Sequence, residues 1–229
     1  MNEHTQLIVM LTHHDQTVKN AYEIFDNCKD SKAKFWGFKD SGIPLDEMKA
    51  LYAYMKACGK TTVLEVVEYT EAEGLAGAQM ALDCGVDILM GTIFSDSIHK
   101  FCQENNLKYM PFVGTVTERP SVLNGSAKEM IAEANCYLEK GVYGIDLLGY
   151  RHTGDASAII KEFVTTVNAP VCVAGDVNSY QRIGEVKDFG AAAFTIGSAF
   201  FENKFEGSFK EQVNKVCQYI NCLEGVSHV

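Results

Sequence analysis

One rhythm repeats along this chain and limits what it can fold into. A short apolar burst gives way to a polar turn, an amphipathic segment, often a glycine, and then the next burst. The bursts are QLIVMLT (6–12), FWGFKD (35–40), TTVLEVV (61–67), VDILMGT (86–92), KYMPFVG (108–114), YGIDLLGY (143–150), PVCVAGD (170–176) and AAFTIGS (192–198). Runs this short and this continuously apolar suit strands buried on both faces of a parallel sheet. Between them, Leu45, Met48, Leu51, Tyr52 and Met55 form one stripe, and Ile159, Ile160, Phe163, Val164 and Val167 form another. Spacings of three and four are the helical signature. Pro44 with Asp46 opens one helix and Asp155 another, while Gly59, Gly85, Gly141 and Gly190 close four. Eight strand-then-helix units in 229 residues predict an α/β fold, a single-domain (β/α)8 TIM barrel over residues 1–229. A doubly wound open sheet is the competing architecture. It usually has fewer strands, and no GxGxxG follows the first burst here.

Charge narrows the function classes. A net charge of −10 argues against nucleic acid, whose phosphates need a basic footprint, and against anionic membrane surfaces. It leaves room for a small phosphorylated ligand held locally by backbone amides. The N-terminal MNEHTQLIVMLTHHD has no basic region before its apolar run, which is short for a signal peptide. No apolar stretch approaches the ~20 residues that span a bilayer. The expectation is a soluble, cytoplasmic protein. None of the eight cysteines forms CxxC, so they read as small buried hydrophobes in a reducing compartment, with no zinc cluster.

The last two bursts end at glycine: Gly175 after the seventh, Gly197 followed by Ser198 after the eighth. In a (β/α)8 barrel the chemistry sits at the C-terminal ends of the strands, and the loops after strands seven and eight often bind phosphate. Bare backbone there lets amides approach an anion closely. Glycine also fits tight strand–helix turns without any ligand. The text VCVAGDVNS and FGAAAFTIGSAFF resembles the ribulose-phosphate-binding barrels, which include phosphosugar epimerases, decarboxylases and phosphoribosyl isomerases. The resemblance covers the final quarter closely and the rest through the strand–helix rhythm. It implies phosphate held at Gly175, Gly197 and Ser198. Asp176 stands where those barrels usually carry a second glycine. A carboxylate beside a dianion costs energy unless it turns away or meets a cation. Asp176 is therefore also open to a role on a sugar hydroxyl, on a metal, or as a base.

Charged groups near the other strand tips supply candidates for chemistry. Lys39, ending the second burst beside Asp40, could hold an oxyanion, act as a base or form an imine, or simply face solvent. The Lys-Asp step resembles that of phosphosugar decarboxylases. Glu65 lies among Val63, Leu64, Val66 and Val67, where a carboxylate needs a partner, and Lys39 on the adjacent strand is the natural one. Asp146 is the parallel oddity inside the sixth burst. Just past it, Arg151 could grip phosphate and His152 could shuttle protons, unless both are plain solvated surface. His13, His14 and Asp15 end the first burst. Neighbouring strand residues point oppositely, so at most one histidine looks inward, and Asp15 or Thr17 has an alternative use in capping the next helix. No cofactor is expected, although these three residues leave a divalent metal open. The long segment TVTERPSVLNGS (115–126) is either a lid or a surface excursion.

Together these features point to an enzyme that isomerises, epimerises or cleaves a small phosphorylated sugar or related hydroxy-carbonyl compound. Lys39, Glu65, Asp146 and His152 are its catalytic candidates. Gly175, Asp176, Gly197, Ser198 and Arg151 are its phosphate-site candidates. The alternative is a regulatory barrel that binds a phosphorylated metabolite without turnover. A homo-oligomer is compatible with either reading.

Overall fold

Each of the eight bursts forms a strand in the computed structural model, which describes residues 5–225; the first four residues of the N-terminal segment lie outside them. The strands are β1 (Gln6–Met10), β2 (Phe35–Lys39), β3 (Thr61–Val66), β4 (Ile88–Gly91), β5 (Lys108–Met110), β6 (Ile145–Leu147), β7 (Val171–Val173) and β8 (Ala193–Ile196). Neighbours pair in parallel in the order β6-β7-β8-β1-β2-β3-β4-β5. The ring closes between β5 and β6 through a parallel bridge from Phe112 to Asp146 and the bond from the Asp146 amide to the Pro111 carbonyl at 3.0 Å. Pro111 has no N–H, so a longer ladder cannot form at that seam.

Helices follow the strands: α1 (Ala21–Cys28), α2 (Leu45–Ala57), α3 (Glu71–Cys84), α4 (Asp96–Glu104), α5 (Ala127–Glu139), α6 (Ala156–Thr166), α7 (Tyr180–Asp188), the short α8 (Ser198–Phe201) and α9 (Phe209–Gly225). The four anticipated terminal glycines all take positive φ, which stops the helical path with no side-chain penalty. Asp155 caps α6 by accepting from the Ala158 amide at 3.1 Å. Asp15 and Thr17 do not cap α1, whose N-cap is Asn20.

Strand alternation divides the apolar residues in two. Leu7, Val9, Trp36, Phe38 and Leu64 pack outward against the helices. Ile8, Met10, Val63, Ile88, Met90, Met110 and Cys172 fill the barrel interior. The interior is thus packed solid below, and each large side chain removed from water contributes about 1.5–3 kcal/mol. Lys39 pairs in register with Glu65, and Glu65 with Met90. Val63 and Met90 face inward, so period two turns Lys39 and Glu65 inward as well. They sit toward the C-terminal ends of their strands. Among the described residues, no helix is long and apolar enough to cross a membrane.

Candidate functional site

A cavity of about 680 Å3 opens at the C-terminal ends of the strands. Its floor and walls include Lys39, Glu65, Thr195, Arg151, Gly175 and Gly197. Lys39 is 8% exposed and Glu65 9%. The expected Lys39–Glu65 neighbourhood is present, but the ammonium turns to Asp15 and forms its ion pair there. A two-residue hairpin turn brings Asp15 over the mouth. His14 and Asp15 both take positive φ between the paired residues Thr12–His13 and Gln16–Thr17. Such tight turns require that conformation, which asparagine and glycine usually supply, so this backbone is strained. The Thr17 hydroxyl donates to the Lys39 carbonyl at 2.7 Å and locks the hairpin to β2.

Burial pulls Lys39 toward the neutral amine. The charge of Glu65, the hydrogen bond to Asp15 and the charges of Asp15 and Asp40 outweigh it, and its pKa lies above that of ordinary lysine. Lys39 is therefore a fixed cation at neutral pH. A permanently charged ammonium suits a developing oxyanion better than it suits imine formation, which needs the free amine.

The glycine-tipped strands meet on the other side of the cavity. Gly175 takes φ +78°, and a Cβ placed there would stand 2.5 Å from Cγ of Arg151. The aliphatic stem of Arg151 thus lies on bare backbone, held by the single 3-10 turn Gly149–Arg151. Its guanidinium has no hydrogen-bond or ion-pair partner among the described residues, and it lines the cavity. Among the described residues, no loop or turn carbonyl takes up the amides of Gly175, Asp176 or Gly197. Asp176 has met its cation: Arg182 Nη1 donates to Asp176 Oδ2 at 2.7 Å, and Asn178 donates to Oδ1 at 2.9 Å. The feature that counted against an anion is thereby largely neutralised.

Two catalytic candidates stand away from the cavity wall. His152 accepts at Nδ1 from the Gly154 amide at 2.9 Å, so Nε2 carries the hydrogen that faces the Gly125 carbonyl at 2.7 Å. With both ring nitrogens engaged, it anchors a loop. Asp146 is 1% exposed, and among the described residues neither carboxyl oxygen has a hydrogen-bond partner. Burial first, then the charge of Glu65, push its pKa well above the carboxylate range, while Lys39 pulls the other way.

His14 and Asp15 line the mouth, whereas His13 stacks against Phe201 with ring centroids 5.3 Å apart. Among the described residues, no group of three or more His, Cys, Asp or Glu is arranged to hold a metal. The 115–126 segment folds into a hairpin, Thr115–Thr117 with Val122–Asn124, whose tip adds Arg119 and Ser121 to the cavity. Arg119 pairs with Glu68 at 2.8 Å, and the Tyr69 hydroxyl reaches the Glu118 carbonyl at 2.8 Å. Sequence reasoning missed Arg119, because nothing local to TERP reveals that a hairpin carries it back over the mouth.

No protein-family model and no curated protein sequence matches the chain. Solved structures do. An orotidine 5'-phosphate decarboxylase from Pyrococcus horikoshii OT3 superposes with a TM-score of 0.71 at 12% identity, over 94% of this chain and 99% of that one. A tryptophan synthase alpha chain from Legionella pneumophila superposes at 0.66 and 14% identity, over 100% and 95%. A 4-hydroxy-2-oxoglutarate aldolase superposes at 0.62 and 11% identity, over 96% and 95%. These neighbours are (β/α)8 barrels of the ribulose-phosphate-binding type, and the likeness is one of fold.

Proposed function

We propose that this barrel is an enzyme that isomerises, epimerises or cleaves a small phosphorylated sugar or related hydroxy-carbonyl compound. One observation carries the reading. In the same cavity as the Lys39–Glu65 pair, the guanidinium of Arg151, without a partner among the described residues, lies beside the free amide of Gly175, and Gly197, whose amide is also unused, lines that cavity with Ser198. A charged donor facing unused amides is what an oxyanion of phosphate requires. The neighbours' aldolase, decarboxylase and synthase names agree with this chemistry at the level of fold.

In the proposed reaction the phosphate docks at Arg151, Gly175, Gly197 and Ser198, and its binding energy orients the rest of the substrate. Glu65 takes or returns a proton beside the carbonyl. Lys39 stabilises the negative charge that develops on the carbonyl oxygen, displacing Asp15 from its ammonium as that charge arrives. Asp176 holds Arg182 and serves the site indirectly, while His152 fixes the loop that carries Arg151.

Calorimetry with inorganic phosphate tests the binding half. Arg151→Ala removes a charge-assisted bond and weakens binding by about 10- to 100-fold; unchanged affinity overturns the site. Hydrogen exchange from a panel of phosphosugars in heavy water tests the chemistry. Lys39→Ala is expected to slow exchange by about 100-fold or more, as loss of one oxyanion donor does. Phosphate binding without exchange or cleavage of any panel member turns the reading toward a regulatory barrel. A borohydride-trapped adduct on Lys39 replaces enolate stabilisation with an imine.

A further inference from the structure

Asp146 is the group that the proposed reaction leaves unused. Its strand, β6, turns it toward the barrel interior, in register with Cys172 on β7 and bridged to Phe112 beyond β5. Both carboxyl oxygens are buried without a hydrogen bond, and the Gly91 amide lies nearby without the geometry of one. A buried carboxylate normally has partners, and an unpaired one changes its protonation state instead.

Counting charges identifies that state. The titratable groups that act on Asp146 are Glu65 from β3, Lys39 from β2 and Cys172 from β7. Among the described residues, Lys39 is the one ammonium in this cluster, and its ion pair goes to Asp15. Asp15 at the mouth, Asp40 beside Lys39, and Glu65 and Asp146 toward the interior are therefore four carboxyl groups around one cation, and Asp146 is the most deeply buried of them. Cys172 adds no positive charge; burial, then Asp146 and Glu65, hold its thiol well above its ordinary range. Carboxylates crowded in this way cannot all ionise, and the most enclosed keeps its proton.

We propose that Asp146 is a neutral carboxylic acid at rest and acts as a positioning residue beneath Lys39 and Glu65. With its proton in place it puts no second negative charge beside Glu65. It also leaves the Lys39 ammonium directed up into the cavity, toward Asp15 and an arriving oxyanion, instead of down into the barrel. This role rests on the reading of Lys39 and Glu65 as the groups that meet the substrate.

Infrared difference spectroscopy on the full chain reads the proton directly. At neutral pH the wild type is expected to show a protonated-carboxyl stretch that Asp146→Asn removes. In Glu65→Gln the midpoint of that band is expected to shift to lower pH, because a neighbouring negative charge is gone. Aspartate labelled with 13C at the carboxyl carbon reads the same group by NMR in unsubstituted protein if Asp146→Asn fails to fold. There, one aspartate other than Asp40 is expected to hold its proton at neutral pH. A wild type with no aspartate protonated at neutral pH, or a midpoint that stays fixed in Glu65→Gln, overturns the proposal. Phosphate calorimetry on the same samples keeps the two readings apart. A protonated Asp146 in a chain that binds no phosphate defeats the anion site and leaves this assignment standing.

Discussion

Arg151 carries its charge against Gly175 with no acid among the described residues to answer it, whereas Arg182 is spent on Asp176. That difference separates a group free to bind from one that only shields. Gly175→Ala tests the close approach. The new methyl would meet the Arg151 stem at 2.5 Å on a backbone with φ +78°. The expected cost is about 1 kcal/mol of stability from the left-handed conformation. Displacing the guanidinium should also lower phosphate affinity about 10-fold, as read by calorimetry. Asp40 supplies a pH prediction. Burial, then the charge of Glu68, raises its pKa to about 6. Between about pH 4 and 6 the unfolded chain ionises this group while the folded one still holds the proton, so its contribution to stability is full below that window and falls as pH rises through it. Denaturant melts of Asp40→Asn should show a flatter pH dependence there; an unchanged slope assigns the effect elsewhere. Lys39 and Glu65 could be singled out from sequence because a charge in or at the end of an apolar run is conspicuous; their inward direction came from the strand register. His152 could not be dismissed in the same way, since its two bonds come from Gly125 and Gly154 in loop geometry that no pattern encodes.

Among the elements, the hairpin of residues 115–124 is anchored at its base by Val116 and Leu123, which are buried in the core, and its tip is held over the mouth by polar contacts. The Tyr69 hydroxyl meets both the Glu118 carbonyl and Ser121 Oγ, and Arg119 lies over the Tyr69 ring at 5.2 Å as well as pairing with Glu68. Tyr69→Phe keeps the ring and removes both hydroxyl contacts. A net hydrogen bond contributes about 1 kcal/mol, so amide exchange across 115–124 should accelerate several-fold while the barrel strands keep their protection. Equal protection in the variant would show that the hairpin is held by its own ladder. The strand and helix elements themselves were plain in the sequence, because period two and period 3.6 are local properties of the chain. The hairpin was not: TVTERPSVLNGS has no alternation long enough to announce a strand pair.

At the scale of the molecule, the barrel has one weak seam. Seven strand junctions are continuous parallel ladders, but β5 and β6 meet through the single Phe112–Asp146 bridge and bonds flanking it, such as that from the Tyr143 amide to the Tyr109 carbonyl at 3.1 Å. Native-state hydrogen exchange should therefore open residues 108–112 and 143–147 before the β1–β4 strands; uniform protection around the ring would contradict this. The proposed proton on Asp146 sits at that seam. By itself the sequence determined the eight strand–helix units and their order, since each depends only on the spacing of apolar side chains and on glycine and proline chemistry, while the pairing register decided which residues face inward. Only the tertiary structure decided that Asp15 takes the Lys39 ammonium, that Arg182 answers Asp176, that Arg119 returns to the mouth and that Arg151 stays free. Those outcomes depend on groups far apart in the chain and on loops whose paths are set by packing, and charges pair with whatever the closed barrel brings within reach.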